Sequence, residues 1–260
     1  MPIKPILLLI PIVALGGASV LYFWPENEMP QPEVPPPVAA PAEPPISHPI
    51  EDAGLADEQA APPAEPLPAL DQSDGVARDA LAGLFGQGLE KFFNLQGIIR
   101  HGVATVDNLP RDNVSQRLMP LKPVAGPLVT AGEGESLTLS SENEARYDAY
   151  VRLAEAVPTG PLVAAYVRFY PLLQQQYEQL GYPDKYFNDR VVQVIDHLLA
   201  TPEVQGPVLL TQPKVLYQFA DPKLEGLSAG QKILVRIGDE NAAKVKAKLR
   251  EIRSALVRKG

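Results

Sequence analysis

Asn188, Asp189, Arg190 and His197 form the densest run of side chains in this sequence that could do chemistry. If residues 186–200 are one helix, Tyr186, Asp189, Arg190, Gln193 and His197 share one face, while Phe187, Val191, Val194, Ile195 and Leu198 cover the opposite one. A histidine beside a carboxylate can act as a general base, so Asp189 or Asp196 with His197 would make a hydrolase-type pair. The same spacing also describes a solvated helix face carrying an Asp–Arg or Asp–His pair. Asn188 differs, because it projects toward the core or else caps a helix starting there, leaving 182–187 as a loop. Tyrosines crowd the same region: Tyr147, Tyr150, Tyr166, Tyr170, Tyr177, Tyr182 and Tyr186, with Arg152, Arg168 and Arg190 nearby. Tyrosine and arginine together are favoured at binding surfaces, and tyrosine alone is equally at home between packed helices. The candidate binding residues are therefore Tyr182, Tyr186, Asn188, Asp189, Arg190 and His197, and no residue is assigned as catalytic.

Other chemistries lack their residues. The histidines His48, His101 and His197 are far apart, and no His-Glu-x-x-His or EF-hand spacing occurs. There is no phosphate-binding glycine loop and no Gly-x-Ser-x-Gly elbow. The cysteine count is zero, which removes disulfides, thiolate metal sites and a cysteine nucleophile. No metal and no cofactor is expected.

The elements that must hold the candidate residues read as mostly helical. Ser73 can cap a helix carrying Val76, Ala77, Ala80, Leu81 and Leu84, interrupted at Gly86 and Gly88. An apolar stretch from Phe92 to Val106 ends at Asn108-Leu109-Pro110. Leu128-Val129-Thr130 and Leu137-Thr138-Leu139 flank Gly132-Glu133-Gly134-Glu135, which predicts a small β-hairpin. Ser141-Glu142-Asn143-Glu144 is a capping-box pattern that predicts a helix through Ala156. A further helix runs from near Pro161 to about Leu180, with a kink or break near Pro171, and another covers 184–200. Ser228-Ala229-Gly230-Gln231 is a second capping box before 232–237. Beyond Gly238 a last helix carries Val245, Leu249, Ile252 and Leu256 as a stripe, surrounded by cations whose stems lie over it.

This domain occupies only part of the chain. Residues 6–24 contain no charge and are barely long enough to cross a bilayer as a helix, with Tyr22, Phe23 and Trp24 at the far end as an interfacial belt. A cleaved signal peptide is the competing reading, but the apolar run continues past the small residues Gly16-Gly17-Ala18. Lys4 precedes the run and the next basic residue is Arg78, so the expected N-terminus (1–5) is cytoplasmic and the C-terminal part periplasmic. Residues 25–70 hold 14 of the 29 prolines and nine acidic residues without one Lys or Arg, the composition of a disordered, extended linker. The net charge of −8 belongs to that linker, because residues 71–260 carry 22 acidic and 22 basic side chains. A neutral domain makes nucleic acid an improbable partner.

Several strings resemble a known family: Val106-Asp107-Asn108-Leu109-Pro110, Arg117-Leu118 with Pro120-Leu121-Lys122-Pro123, and Ala145-Arg146-Tyr147-Asp148-Ala149-Tyr150. Leu180-Gly181-Tyr182-Pro183-Asp184, Tyr186-Phe187-Asn188-Asp189-Arg190 and the run from Val194 to Pro202 continue it, as do Gln212-Pro213-Lys214-Val215-Leu216-Tyr217 and Leu227-Ser228-Ala229-Gly230-Gln231-Lys232. Together they resemble the bacterial domain-of-unknown-function family 3014 over essentially all of residues 68–260. The resemblance implies a membrane-anchored bacterial envelope protein and no particular reaction. The expected fold is mainly α: one helical domain (71–260) with a minor β-hairpin, preceded by a transmembrane helix (6–24) and a disordered linker (25–70). The expected role is a single-pass, inner-membrane interaction or assembly module facing the periplasm, with an envelope protein or cell-wall partner. An envelope hydrolase using the Asp/His pair is the alternative.

Overall fold

The structure, a computed structural model, describes residues 46–52 and 66–257. The expected anchor and most of the expected linker lie outside the described residues. Among those described, no helix is long and apolar enough to cross a membrane. The architecture is mainly helical with a small amount of antiparallel sheet.

The first three helices lie before and after the hairpin. α1 (Asp74–Phe85) and α2 (Ile98–Asn108) are locked by one carboxylate. Asp74 opens α1, and its two oxygens accept the N–H groups of Gly97 (2.7 Å) and Ile98 (2.9 Å) at the start of α2. An anion at a helix N-terminus satisfies free donors and complements the dipole. Ser73 takes no part in capping: its hydroxyl donates to the Leu70 carbonyl instead, 2.7 Å away. The predicted hairpin forms as β1 (Thr130–Ala131) paired with β2 (Thr138–Leu139). Its turn requires Gly132, whose φ is +75° and where a Cβ would stand 2.4 Å from the Ser136 carbonyl oxygen.

The helix expected to run from Ser141 to Ala156 is divided into α3 (Glu142–Ala145) and α4 (Asp148–Ala156). Ser141 does not cap it; the Ser140 hydroxyl accepts from Glu142 N–H instead. The reason is tertiary. Asn143 is fully buried, where its amide donates to the Arg236 carbonyl and its Oδ1 accepts from Arg146 and from Val129 N–H. Arg146 also grips the carbonyls of Ala125 and Gly126. Between the two helices the backbone tightens to i−3 bonds at Arg146, Tyr147 and Tyr150.

α5 (Thr159–Gln179) runs unbroken through Pro171, where a kink or break was expected. Pro171 deletes one helical hydrogen bond, but Phe169 and Leu172 beside it are buried in the core and hold the helix across the gap. α6 (Phe187–Leu199) is the hub. Val192 and Ile195 pack with Val163 of α5 and with Leu256, Val194 and Leu198 pack with Leu234 and Ile237, and Phe187 joins the α1–α2–α5 cluster.

The remaining elements close around it. β3 (Leu210–Thr211) pairs with β4 (Gln218–Phe219), a second hairpin that the sequence did not announce, and a bridge from Thr138 to Leu209 joins it to the first. α7 (Pro222–Glu225) is short. α8 (Ala229–Arg236) begins with both halves of the expected capping box, Ser228 Oγ to Gln231 N–H and Gln231 Oε1 to Ser228 N–H. α9 (Asp239–Leu256) lays its expected stripe against α6 and α8. One of its cations does not snorkel. Lys246 is buried and donates to the Thr201 carbonyl, 2.6 Å away, just past the C-terminal end of α6.

Gly230 sits where α8 meets α2 and α6: a Cβ there would lie 2.6 Å from Leu198 Cδ2 and 3.0 Å from the Leu109 carbonyl oxygen. Helix propensity alone favours Gly230→Ala by about 1 kcal/mol. The close approach reverses the sign, since overpacking a rigid contact costs about 1–3 kcal/mol. Urea unfolding should show a lower midpoint for the variant with unchanged far-ultraviolet circular dichroism. An equal or higher midpoint would mean that the contact yields freely.

Candidate functional site

The candidate residues gather where α5 ends, the 180–186 loop turns back, and α6 begins. Tyr177, at the end of α5, stacks on Tyr182 with ring centroids 4.6 Å apart, and Phe187 tilts against it at 5.4 Å. These rings fix the loop. Phe187 N–H then donates to Gln174 Oε1 (2.7 Å), which anchors the first turn of α6. Burial raises Tyr166, Tyr170 and Tyr177 above the usual phenol range, and the hydroxyls of Tyr166 and Tyr170 donate to Asn188 Oδ1 and Gln174 Oε1.

Beneath the loop lies a buried carboxylate that the candidate list lacks. Asp107, on α2, has a side chain only 6 % exposed. It accepts from Arg111 Nη2 (2.5 Å), Arg190 Nε (3.1 Å) and the Tyr182 hydroxyl (3.3 Å). Arg190 Nη2 also donates to the Asp107 backbone carbonyl at 2.8 Å, and Arg111 reaches the Tyr182 hydroxyl at 2.9 Å. The charge of Asp107 holds the Arg111 guanidinium above its ordinary pKa. Two of the six candidates, Tyr182 and Arg190, thus belong to a clamp that joins α2 to α6. The signal in the sequence was a lone acidic residue directly after the stretch 92–106, which holds no Asp or Glu of its own, but nothing in that stretch named its partners.

Asn188 and Asp189 face another way. Asn188 is 0 % exposed; its Oδ1 accepts from the Tyr166 hydroxyl (3.1 Å) and its amide donates to the His48 carbonyl (2.9 Å). Asp189 accepts from the backbone N–H groups of Ser47 (3.0 Å) and His48 (2.6 Å). Residues 46–52, inside the range expected to be linker, therefore contact the domain, and Ile50 packs on the α5–α6–α9 cluster. Leu67 and Leu70, near the end of the same range, pack on the α1–α2–α5 cluster. Between residues 47–48 and α6 an open groove of ≈ 640 Å³ remains, lined among others by Tyr182, Lys185, Tyr186, Asp189, Arg190 and Gln193.

His197 does not join them. Its Nε2 lies 2.8 Å from Ser228 Oγ, and its carbonyl accepts from Gln231 Nε2, so it ties α6 to the cap of α8. Asp196 pairs with Arg253 of α9, and Asp189 is taken by backbone N–H groups. The Asp–His pair that a hydrolase would need is not assembled: five of the six candidates border or brace the groove region, and His197 belongs to another contact. Among the described residues no cluster of three or more His, Asp or Glu is placed to hold a metal ion.

The model of the family described as "Protein of unknown function (DUF3014)" matches residues 98–253. The chain belongs to that family. The match spans α2 to α9 and so takes in Asp107, Arg111, Tyr182, the first turn of α6 and the α8 cap, whereas residues 46–52 lie before it. No curated protein and no solved structure matches the chain.

Asp107 is buried but the Arg111 side chain is 53 % exposed and that of Arg190 19 %, so losing the carboxylate costs charged hydrogen bonds, about 1.5–3 kcal/mol, rather than stranding a fully buried cation. Asp107→Ala should lower stability by that order in urea unfolding. His197→Ala, which loses one hydrogen bond to a cap, should lose only about 1 kcal/mol. If the two variants melt alike, Asp107 is not the clamp described.

Proposed function

We propose that this family member is a tethered, non-enzymatic interaction or assembly module of the bacterial envelope, held by residues 6–24 in the inner membrane with residues 71–260 in the periplasm. The uncharged run 6–24 behind Lys4 and the proline-rich acidic stretch that follows support the anchor, the orientation and the spacer. The observation that carries the interaction reading is the grip of Asn188 and Asp189 on the main chain of residues 47–48 beside an open, aromatic and charged groove. Side chains arranged to hold a polypeptide backbone suit docking, whereas His197, the general base that the hydrolase reading requires, is committed to Ser228.

Two measurements test this. A reporter active only in the periplasm should work when fused after residue 70, and activity of only a cytoplasmic reporter there would reverse the topology. A photocrosslinking amino acid placed at Gln193 in the full chain should capture a specific envelope protein in cells. Asp189→Asn should weaken that capture while His197→Ala leaves it intact. Complementation lost on His197→Ala in a chain that melts normally would revive the hydrolase alternative.

A further inference from the structure

Residues 47–50 are held at the groove mouth in a way that does not depend on what Ser47 and His48 are. Both carboxylate oxygens of Asp189 accept consecutive backbone N–H groups, and Asn188 donates to the carbonyl of the second residue. The donor and the acceptor come from neighbouring positions in the first turn of α6. One residue on, Pro49 needs no donor partner and restricts His48 to extended backbone. Ile50 then packs against the apolar cluster of Val163, Val192, Ile195 and Leu256. The selective part of the contact is therefore a proline–aliphatic step, and the rest reads main chain.

The segment is also separable. Fifteen residues of chain lie between Ile50 and Pro66, where the described structure resumes. Asn188 is fully buried with its amide on the His48 carbonyl. Without residues 46–50 that amide and the Asp189 carboxylate open to water, and another extended backbone can take the same three hydrogen bonds.

We infer that the mouth of this groove is a peptide-binding site for an extended segment carrying a proline–aliphatic step, and that residues 46–50 occupy it in cis until a partner's segment of that pattern displaces them. This rests on the interaction reading proposed above and supplies the chemistry of the partner. A segment that belongs to the same chain acts at an effective concentration of roughly millimolar, so the cis occupant competes with any free peptide.

The probe is a fluorescent peptide with the sequence of residues 43–52, added to the full-length chain in detergent micelles. Wild type should bind it weakly. Ile50→Asp places a charge against this apolar cluster and ejects the chain's own segment, and that variant should bind the peptide at least about tenfold more tightly. Adding Asp189→Asn to Ile50→Asp should reverse the gain by about tenfold, since it removes a charged acceptor. A second chain, with residues 46–50 replaced by Gly-Ser-Gly-Ser-Gly, should behave as Ile50→Asp does and covers the case in which that variant misfolds. In wild type, the Ser47 and His48 amides should exchange slowly with solvent. Fast exchange there, or equal binding by wild type and both freed chains, overturns the inference. So does a freed chain that binds no peptide, which would make residues 46–50 a fixed clamp. Self-association that scales with protein concentration would overturn the partner assignment in favour of a second copy. The crosslinking from Gln193 fails independently: peptide exchange without any captured envelope protein would leave the site standing and remove the role proposed for it.

Discussion

A single buried negative charge sets the geometry of the molecule. Asp107 sits inside α2, and an ionised carboxylate there is tolerable only with cations and donors brought to it. Arg190 answers from α6, Arg111 from the segment after α2, and Tyr182 from the loop before α6. Because Arg190 follows Asn188 and Asp189 directly, satisfying Asp107 also decides which way the first turn of α6 presents those two side chains. The groove, which Asp107 itself helps to line, is thus a by-product of charge neutralisation at its wall.

The same helix is asked to do unrelated things along its length. Its first turn holds backbone from residues 47–48, its middle fills two apolar clusters, and its last turn hands His197 to the cap of α8 and leaves a carbonyl end for Lys246. Polar groups at both ends are matched, and apolar ones in between are covered. Such division of labour explains why so polar a sequence, with Asn, Asp, Arg, Gln, Asp and His in thirteen residues, still makes a central helix. The charged face is spent on neighbours rather than on solvent.

Much of this was legible beforehand, for local reasons. Periodicity and turn chemistry yielded α1, the β1–β2 hairpin, the α8 capping box and the α9 stripe, each of which depends on residues within about a turn of one another. What misled were places where distant partners overrode local preference. Ser141 looks like a cap, yet the demands of buried Asn143 and Arg146 divide the helix it should open. Pro171 looks like a break, yet packing on both sides carries α5 through it. The helix face containing Asp189 and Arg190 was readable from spacing, but whether His197 would join it was not, since Ser228 lies 31 positions away and in another helix. Asp107 hid for the same reason, its partners being up to 83 positions distant. β3 and β4 are too short to leave an alternating pattern.

The grip on residues 47 and 48 also closes a long loop. Ser47 stands 142 positions from Asp189, and the entropic cost of such a closure grows only slowly with its length. The middle of α6 is already ordered by its core contacts, so that cost falls on the short segment and not on the helix that receives it. Seating residues 47–50 therefore draws on a surface that the core has already set.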